Sequence, residues 1–165
     1  MGALHESMLE YKKQLKKGAI QQAYKGLIEY IMGLRTYFQK KYPEYFVSGS
    51  IYYGYMDMTY FALVPSSLKK HRLKIAVVFN YETFRFEVWL SGANRQVLEK
   101  YWTLIKESGW NKYRLVPQEE KWVDSILEHV LVEDPDFSEP DSLTTQIEKA
   151  TLKFTRDVEN FLSRQ

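Results

Sequence analysis

A chain of 165 residues, 45% hydrophobic and 27% charged, has the balance of a globular domain large enough to bury a core, not that of a disordered polymer. A net charge of +2 and the absence of cysteine argue against nucleic acid and anionic membranes as partners. They also exclude disulfides, thiolate nucleophiles and cysteine-bearing zinc sites.

At the N-terminus Glu6 and Glu10 interrupt any apolar stretch of the signal-peptide kind, and Glu6 stands where a myristoylation motif needs Ser or Thr. Residues 1–7 are expected to be a disordered or extraneous N-terminal segment without function, since Met8 offers an alternative start. No apolar run reaches the length of a membrane span, so a cytoplasmic, soluble protein is expected by default.

Leu4, Met8, Tyr11 and Leu15 recur at helical spacing up to Gly18. A stronger helix follows, with Ile20, Ala23, Tyr24, Leu27, Ile28, Ile31 and Leu34 on one apolar stripe, ending near Tyr42 ahead of Pro43. From Ser50 to Val64 the period changes, and this aromatic and β-branched run reads as one long strand bent at Gly54. Pro65 opens a loop. Leu73–Asn80 and Phe84–Leu90 are two further strands joined by Tyr81–Thr83, completing an antiparallel meander that Gly92 ends.

Val97, Leu98, Tyr101, Trp102 and Ile105 mark another helix, stopped at Gly109. Tyr113–Val116 is a short strand. Periodicity leaves residues 125–132 open between strand and helix, with strand favoured. A Pro- and acid-rich turn runs from Glu133 to Asp141, with Asp141 or Ser142 as the cap of a last helix that buries Leu143, Ile147, Ala150, Phe154, Val158 and Phe161. The expected order is ααβββαβ(β)α, one α+β domain over residues 1–165 in which a mainly antiparallel sheet packs against amphipathic helices.

Side-chain alternation locates the candidate site. In the hairpin, Leu73, Ile75, Val77 and Phe79 oppose Lys74, Ala76, Val78 and Asn80, while Phe84, Phe86, Val88 and Leu90 oppose Arg85, Glu87 and Trp89. In the first strand Tyr53, Tyr55, Asp57 and Thr59 share a face. Tight connections would set Asp57, Asn80 and Arg85 in one row, and Thr59, Val78 and Glu87 in the next. Tyr53, Tyr55, Asp57, Asn80, Arg85, Glu87 and Trp89 then form an aromatic and polar sheet face, suited either to a ligand or to an ordinary Asp57–Arg85 cross-strand pair.

Other constellations carry less. The helix–three strands–helix–strand order resembles the core of the restriction-endonuclease-like nucleases, which carry an acid on the second core strand and Glu-x-Lys on the third. Here LKIAVVFN holds no acid, and Glu87-Val88-Trp89 has Trp in place of Lys, so the likeness in topology brings no catalytic set. Lys69, Lys70, His71, Arg72 and Lys74 read as a solvated basic loop. His5, His71 and His129 lie in dissimilar segments without metal-ligand spacing, and EDPDFSEPD lacks the central Gly of a calcium loop. There is no Gly-rich phosphate loop and no nucleophile elbow.

The runs GAIQQAYKGLIEYIMGLRTYF, YYGYMDMTYFALVP, LKIAVVF, FEVWLSGANRQVLEKYW and EDPDF resemble a family of uncharacterised bacterial proteins known only as a domain of unknown function. That resemblance implies a single bacterial cytoplasmic domain and brings no activity, cofactor or site residue. The expectation is a non-catalytic binding domain with no cofactor and no metal, taking a small molecule or a peptide-like protein partner on the sheet face as a monomer or homodimer. The alternatives are a metal-assisted hydrolase or degenerate nuclease-like domain using Asp57 and Glu87, and a dimeric interaction or accessory protein.

Overall fold

A computed structural model describes residues 2–119 and 124–165; Met1, the first residue of the segment 1–7, lies outside them, as do residues 120–123 of the expected domain. Two helices open the chain, α1 (Gly2–Lys16) and α2 (Ala19–Lys41), so residues 2–7 are helical. Tyr42 closes α2 through its N–H on the Phe38 carbonyl, because the residue before Pro43 is steered out of helical geometry. Then come β1 (Phe46–Val47), β2 (Met58–Val64), the short α3 (Ser66–Lys69), β3 (Leu73–Asn80) and β4 (Arg85–Gly92). The chain ends with α4 (Arg95–Ser108), β5 (Arg114–Leu115), β6 (Leu127–Val132) and α5 (Pro140–Ser163). The strands form one sheet in the order β1-β2-β3-β4-β6-β5, antiparallel at every pairing. This is an α+β fold, and residues 125–132 contribute a strand rather than a helix.

Across the central strands β2, β3 and β4 one sheet face is buried. Phe61 and Leu63 of β2, Ile75, Val77 and Phe79 of β3, and Phe86, Val88 and Leu90 of β4 belong to a single apolar cluster with Ile31, Leu34 and Phe38 of α2 and Ile147, Phe154 and Val158 of α5. Burying each such side chain contributes about 1.5–3 kcal/mol. The two helices also meet through polar groups. The Tyr30 hydroxyl lies 2.9 Å from Thr144 Oγ1. The nearly buried Glu148 carboxylate accepts from Tyr37 at 3.0 Å, from Tyr42 at 2.5 Å and from Lys41 at 2.8 Å.

The region before β2 departs from the expected long strand. Residues 50–57 arc back on themselves, so that Tyr52 bridges Tyr60 across the turn. Gly54 makes this possible: its φ is 73°, and a Cβ there would stand 2.1 Å from the Met58 carbonyl oxygen. Asp57 belongs to this turn, where its Oδ1 accepts the Tyr55 and Met58 N–H groups, each at 2.8 Å. The strand therefore begins at Met58 rather than at Ser50, and its register differs by one residue from the expected rows. Met58, not Asp57, pairs with Asn80 and so lines up with Arg85.

Thr59 correspondingly faces the core. Its hydroxyl is satisfied there by the Tyr53 carbonyl at 2.6 Å and the Tyr81 hydroxyl at 2.7 Å. Two smaller differences also have local causes. The cap of α5 is Glu139, with Pro140 following it, because proline is favoured in a first helical turn where its missing N–H costs nothing. In α2 the expected buried stripe is buried only from Leu27 onward, and Ile20 and Ala23 stand in solvent.

Two outcomes follow for stability. Gly54→Ala is expected to lose at least about 2 kcal/mol in urea unfolding, from left-handed strain and the blocked carbonyl. The second concerns Asp157 on α5. Burial pushes its carboxyl up, but hydrogen bonds from Tyr113 at 2.5 Å, Lys153 at 2.9 Å and Lys112 at 3.2 Å outweigh it and hold the pKa at about 2. The pKa is depressed on folding, so this stabilisation is complete above the unfolded value near 4 and is lost as pH falls toward 2. Between those pH values the wild type should lose stability more steeply than Asp157→Asn, measured by denaturant titration at each pH.

Candidate functional site

The second sheet face is built from β2, β3 and β4 in three rows: Met58, Asn80 and Arg85; Tyr60, Val78 and Glu87; Ala62, Ala76 and Trp89. Val130 and Glu128 of β6 extend the second and third rows. The small side chains of Ala76 and Val78 are buried beneath larger neighbours. Because residues 85, 87 and 89 alternate onto this one face, they meet without any help from the rest of the fold.

At its centre the Glu87 carboxylate, only 3% exposed, collects four donors. Arg85 Nε lies at 2.8 Å, Trp89 Nε1 at 2.9 Å, Thr83 Oγ1 at 3.2 Å and Asn80 Nδ2 at 3.4 Å. Arg85 also reaches Glu133 at 3.1 Å, and its hydrogen bond to Glu87 is the largest cause of its raised pKa. Three of these donors converge on Oε2 and Trp89 alone reaches Oε1, so the network holds the carboxylate in place and fixes the Trp89 indole by its N–H.

Of the seven expected site residues, Asn80, Arg85, Glu87 and Trp89 come together. Tyr53, Tyr55 and Asp57 do not join them, because the Gly54 turn carries all three off the face. Tyr55 stands 93% exposed and Tyr53 half exposed. Backbone hydrogen bonds from Tyr55 and Met58 hold the Asp57 carboxyl below its ordinary pKa. Arg85 therefore pairs with Glu87 and Glu133 rather than with Asp57. Asp57 and Glu87 serve separate sets of donors, and among the described residues no cluster of three or more His, Asp or Glu side chains could hold a metal.

Beside Trp89 the face opens into a pocket of about 360 Å³. Its aromatic walls are Tyr52, Tyr60 and Trp89, Ala76 lies between them, and Lys74, Ser91, Asn94, Arg95 and Asp124 bring polar atoms to it. The Tyr52 and Tyr60 rings lie 5.1 Å apart, and Lys74 Nζ sits 5.8 Å from the Tyr60 ring centre. Burial, then the neighbouring Tyr52 and Asp124, raise the Tyr60 pKa, so its phenol stays neutral. Asn94 caps α4 by accepting the Val97 N–H at 2.9 Å, which turns the first turn of that helix toward the pocket rim. Lys74 was legible by alternation on β3. Tyr60 required the corrected register, Tyr52 the return at Gly54, and Arg95 the placement of α4.

Truncating the hub tests its structural weight. Glu87→Ala leaves the Trp89 N–H and one edge of Arg85 without an acceptor, and should cost about 3 kcal/mol in chemical denaturation. Glu87→Gln, which keeps an acceptor oxygen, should cost clearly less.

No curated protein and no solved structure matches the chain. A family model does, over residues 4–162, which takes in every element that builds the pocket; the chain belongs to the family described as Domain of unknown function (DUF7000).

Proposed function

We propose that this chain is a non-catalytic binding domain that takes a small, flat molecule bearing an acidic group in the sheet-face pocket. The observation that carries this reading is the convergence of three aromatic side chains, Tyr52, Tyr60 and Trp89, with Lys74 and the start of α4 around about 360 Å³. Ligand pockets pair apolar walls with a few placed polar groups, and this volume suits a compact molecule. The aromatic faces would sandwich a ring or a planar peptide-like group. The Lys74 ammonium and the positive end of the α4 dipole would favour a carboxylate or phosphate at the rim.

The chemistry of the site supports binding over turnover. Glu87 is buried and bound by four donors, and its work is to hold the wall in place. A metal-assisted hydrolase using Asp57 and Glu87 has less support, since Asp57 is committed to a backbone turn. We place this single domain in the bacterial cytoplasm on its resemblance to bacterial proteins and its lack of cysteine. Among the described residues no helix is long and apolar enough to cross a membrane.

Native mass spectrometry of gently purified protein, set against its denatured mass, tests the proposal, with benzoate and 4-hydroxyphenylacetate added as probes. A retained small molecule or a probe adduct is expected for the wild type, with at least tenfold weaker occupancy in Lys74→Glu and in Trp89→Ala. A wild type that holds no molecule and no probe, or variants that bind as it does, would sink the proposal.

A further inference from the structure

The largest concentration of exposed apolar side chains lies away from the sheet-face pocket, on two surfaces of the same chain. The first is α1, whose described residues include none that is buried; Leu4, Met8, Leu9 and Tyr11 are all about half exposed or more. The second is an apolar groove of about 500 Å³ along the N-terminal half of α2. Ile20, Tyr24 and Leu27 line one side of it, and Met56, Phe84 and Phe137 the other. Of the thirteen large apolar side chains exposed among the described residues, eight belong to these two surfaces. That is far more than scattered exposure produces.

Two of the groove's lining residues also sit in strained backbone. Met56 and Phe84 have φ of 62° and 54°, the left-handed region that residues with a side chain rarely occupy. Both present apolar side chains, about half exposed or more, to the same groove. Strain of this kind persists where the surroundings enforce it, and it concentrates at binding surfaces.

The two surfaces fit each other in three respects. In polarity, the apolar residues of α1 recur at helical spacing and so present a stripe, and the groove is an apolar trough beside a helix. In charge, the C-terminal half of α1 carries exposed Lys12, Lys13 and Lys16, while exposed Glu82, Asp134, Asp136 and Glu139 flank Phe84 and Phe137 at the groove. In size, the 15 residues of α1 and the eleven that line the groove make a face per copy within the roughly 20–30 residues a side of a standard interface.

The junction between α1 and α2 keeps the helix off its own groove. Gly18 is left-handed with φ 80°, its N–H bonds the Leu15 carbonyl, and Gln21 Nε2 donates to that same carbonyl at 2.7 Å. We infer that the chain forms a two-fold dimer in which α1 of each copy lies in the α2 groove of the other. Each copy offers one helix and one groove, and reciprocal exchange about a two-fold axis satisfies both contacts with two chains. It shares no residue with the sheet-face pocket, and either proposal stands without the other.

Light scattering on size-exclusion fractions tests the dimer, with two variants at positions exposed in the monomer. The wild type should be dimeric, and both Met8→Glu on the helix and Ile20→Glu in the groove should run as monomers with unchanged circular dichroism. Mixing the two variants should restore a heterodimer, because one intact helix meets one intact groove. The absence of cysteine allows a second readout: a mixture of Met8→Cys and Phe84→Cys should form a disulfide-linked pair under mild oxidation. A monomeric wild type overturns the proposal, as does an Ile20→Glu variant that stays dimeric. So does a Met8→Cys variant that crosslinks to itself as readily as to Phe84→Cys, which would mean helix-to-helix pairing.

Discussion

Everything in this molecule depends on two helices, far apart in the chain, sharing the apolar face of one sheet. Phe38 of α2 and Phe154 of α5 are fully buried against a sheet whose own Phe61, Phe79 and Phe86 are equally inaccessible. The seam between the helices cannot be entirely apolar, because Glu148 lies in it. Burial works against its charge, but hydrogen bonds from Lys41, Tyr42 and Tyr37 outweigh burial and leave the carboxyl below its ordinary pKa. A carboxylate so placed is tolerable only with all its partners present, so it also specifies how α2 and α5 are positioned along each other.

Both proposed binding surfaces follow from that arrangement. With α2 and α5 covering one face, the other is left to its own side chains. Tyr52, Tyr60 and Trp89 stand around the small Ala76, and the pocket is the space between them. At 23 residues, α2 is about 35 Å long, yet its buried residues run only from Leu27 to Phe38. The N-terminal overhang keeps the apolar stripe of a core helix with no core beneath it. The loops bearing Met56, Phe84 and Phe137 shape that overhang into the groove.

Much of the fold was legible because its elements are locally consistent. β3 matches the alternating run Leu73–Asn80 residue for residue, and α4 and α5 follow their helical stripes. The Glu87 hub was partly legible for the same reason, since Arg85, Glu87 and Trp89 need only the two-residue period of one strand to meet. What failed was register before β2. In an apolar run such as Met58–Val64 either face can pass for the buried one, and the choice was made by a turn at Gly54 whose close approach to Met58 is a tertiary fact. That one-residue slip exchanged Asp57 for Met58 and Thr59 for Tyr60 on the site face. It accounts for the loss of Asp57 from the expected set and for the missed Tyr60. The exposed start of the α2 stripe was equally illegible, because periodicity reports which residues are apolar and not which of them find cover.

The most direct measurement is the behaviour of the four tryptophan indole N–H signals in a nitrogen–proton correlation spectrum as benzoate is titrated into the protein. Trp89 is held in the pocket wall by Glu87, whereas Trp110 is stacked on Phe161 at 4.5 Å, away from the pocket. A saturable shift of the Trp89 signal with Trp110 unmoved is the predicted result. Four stationary indoles, or a shift at Trp110 with Trp89 still, would contradict a binding site on the sheet face.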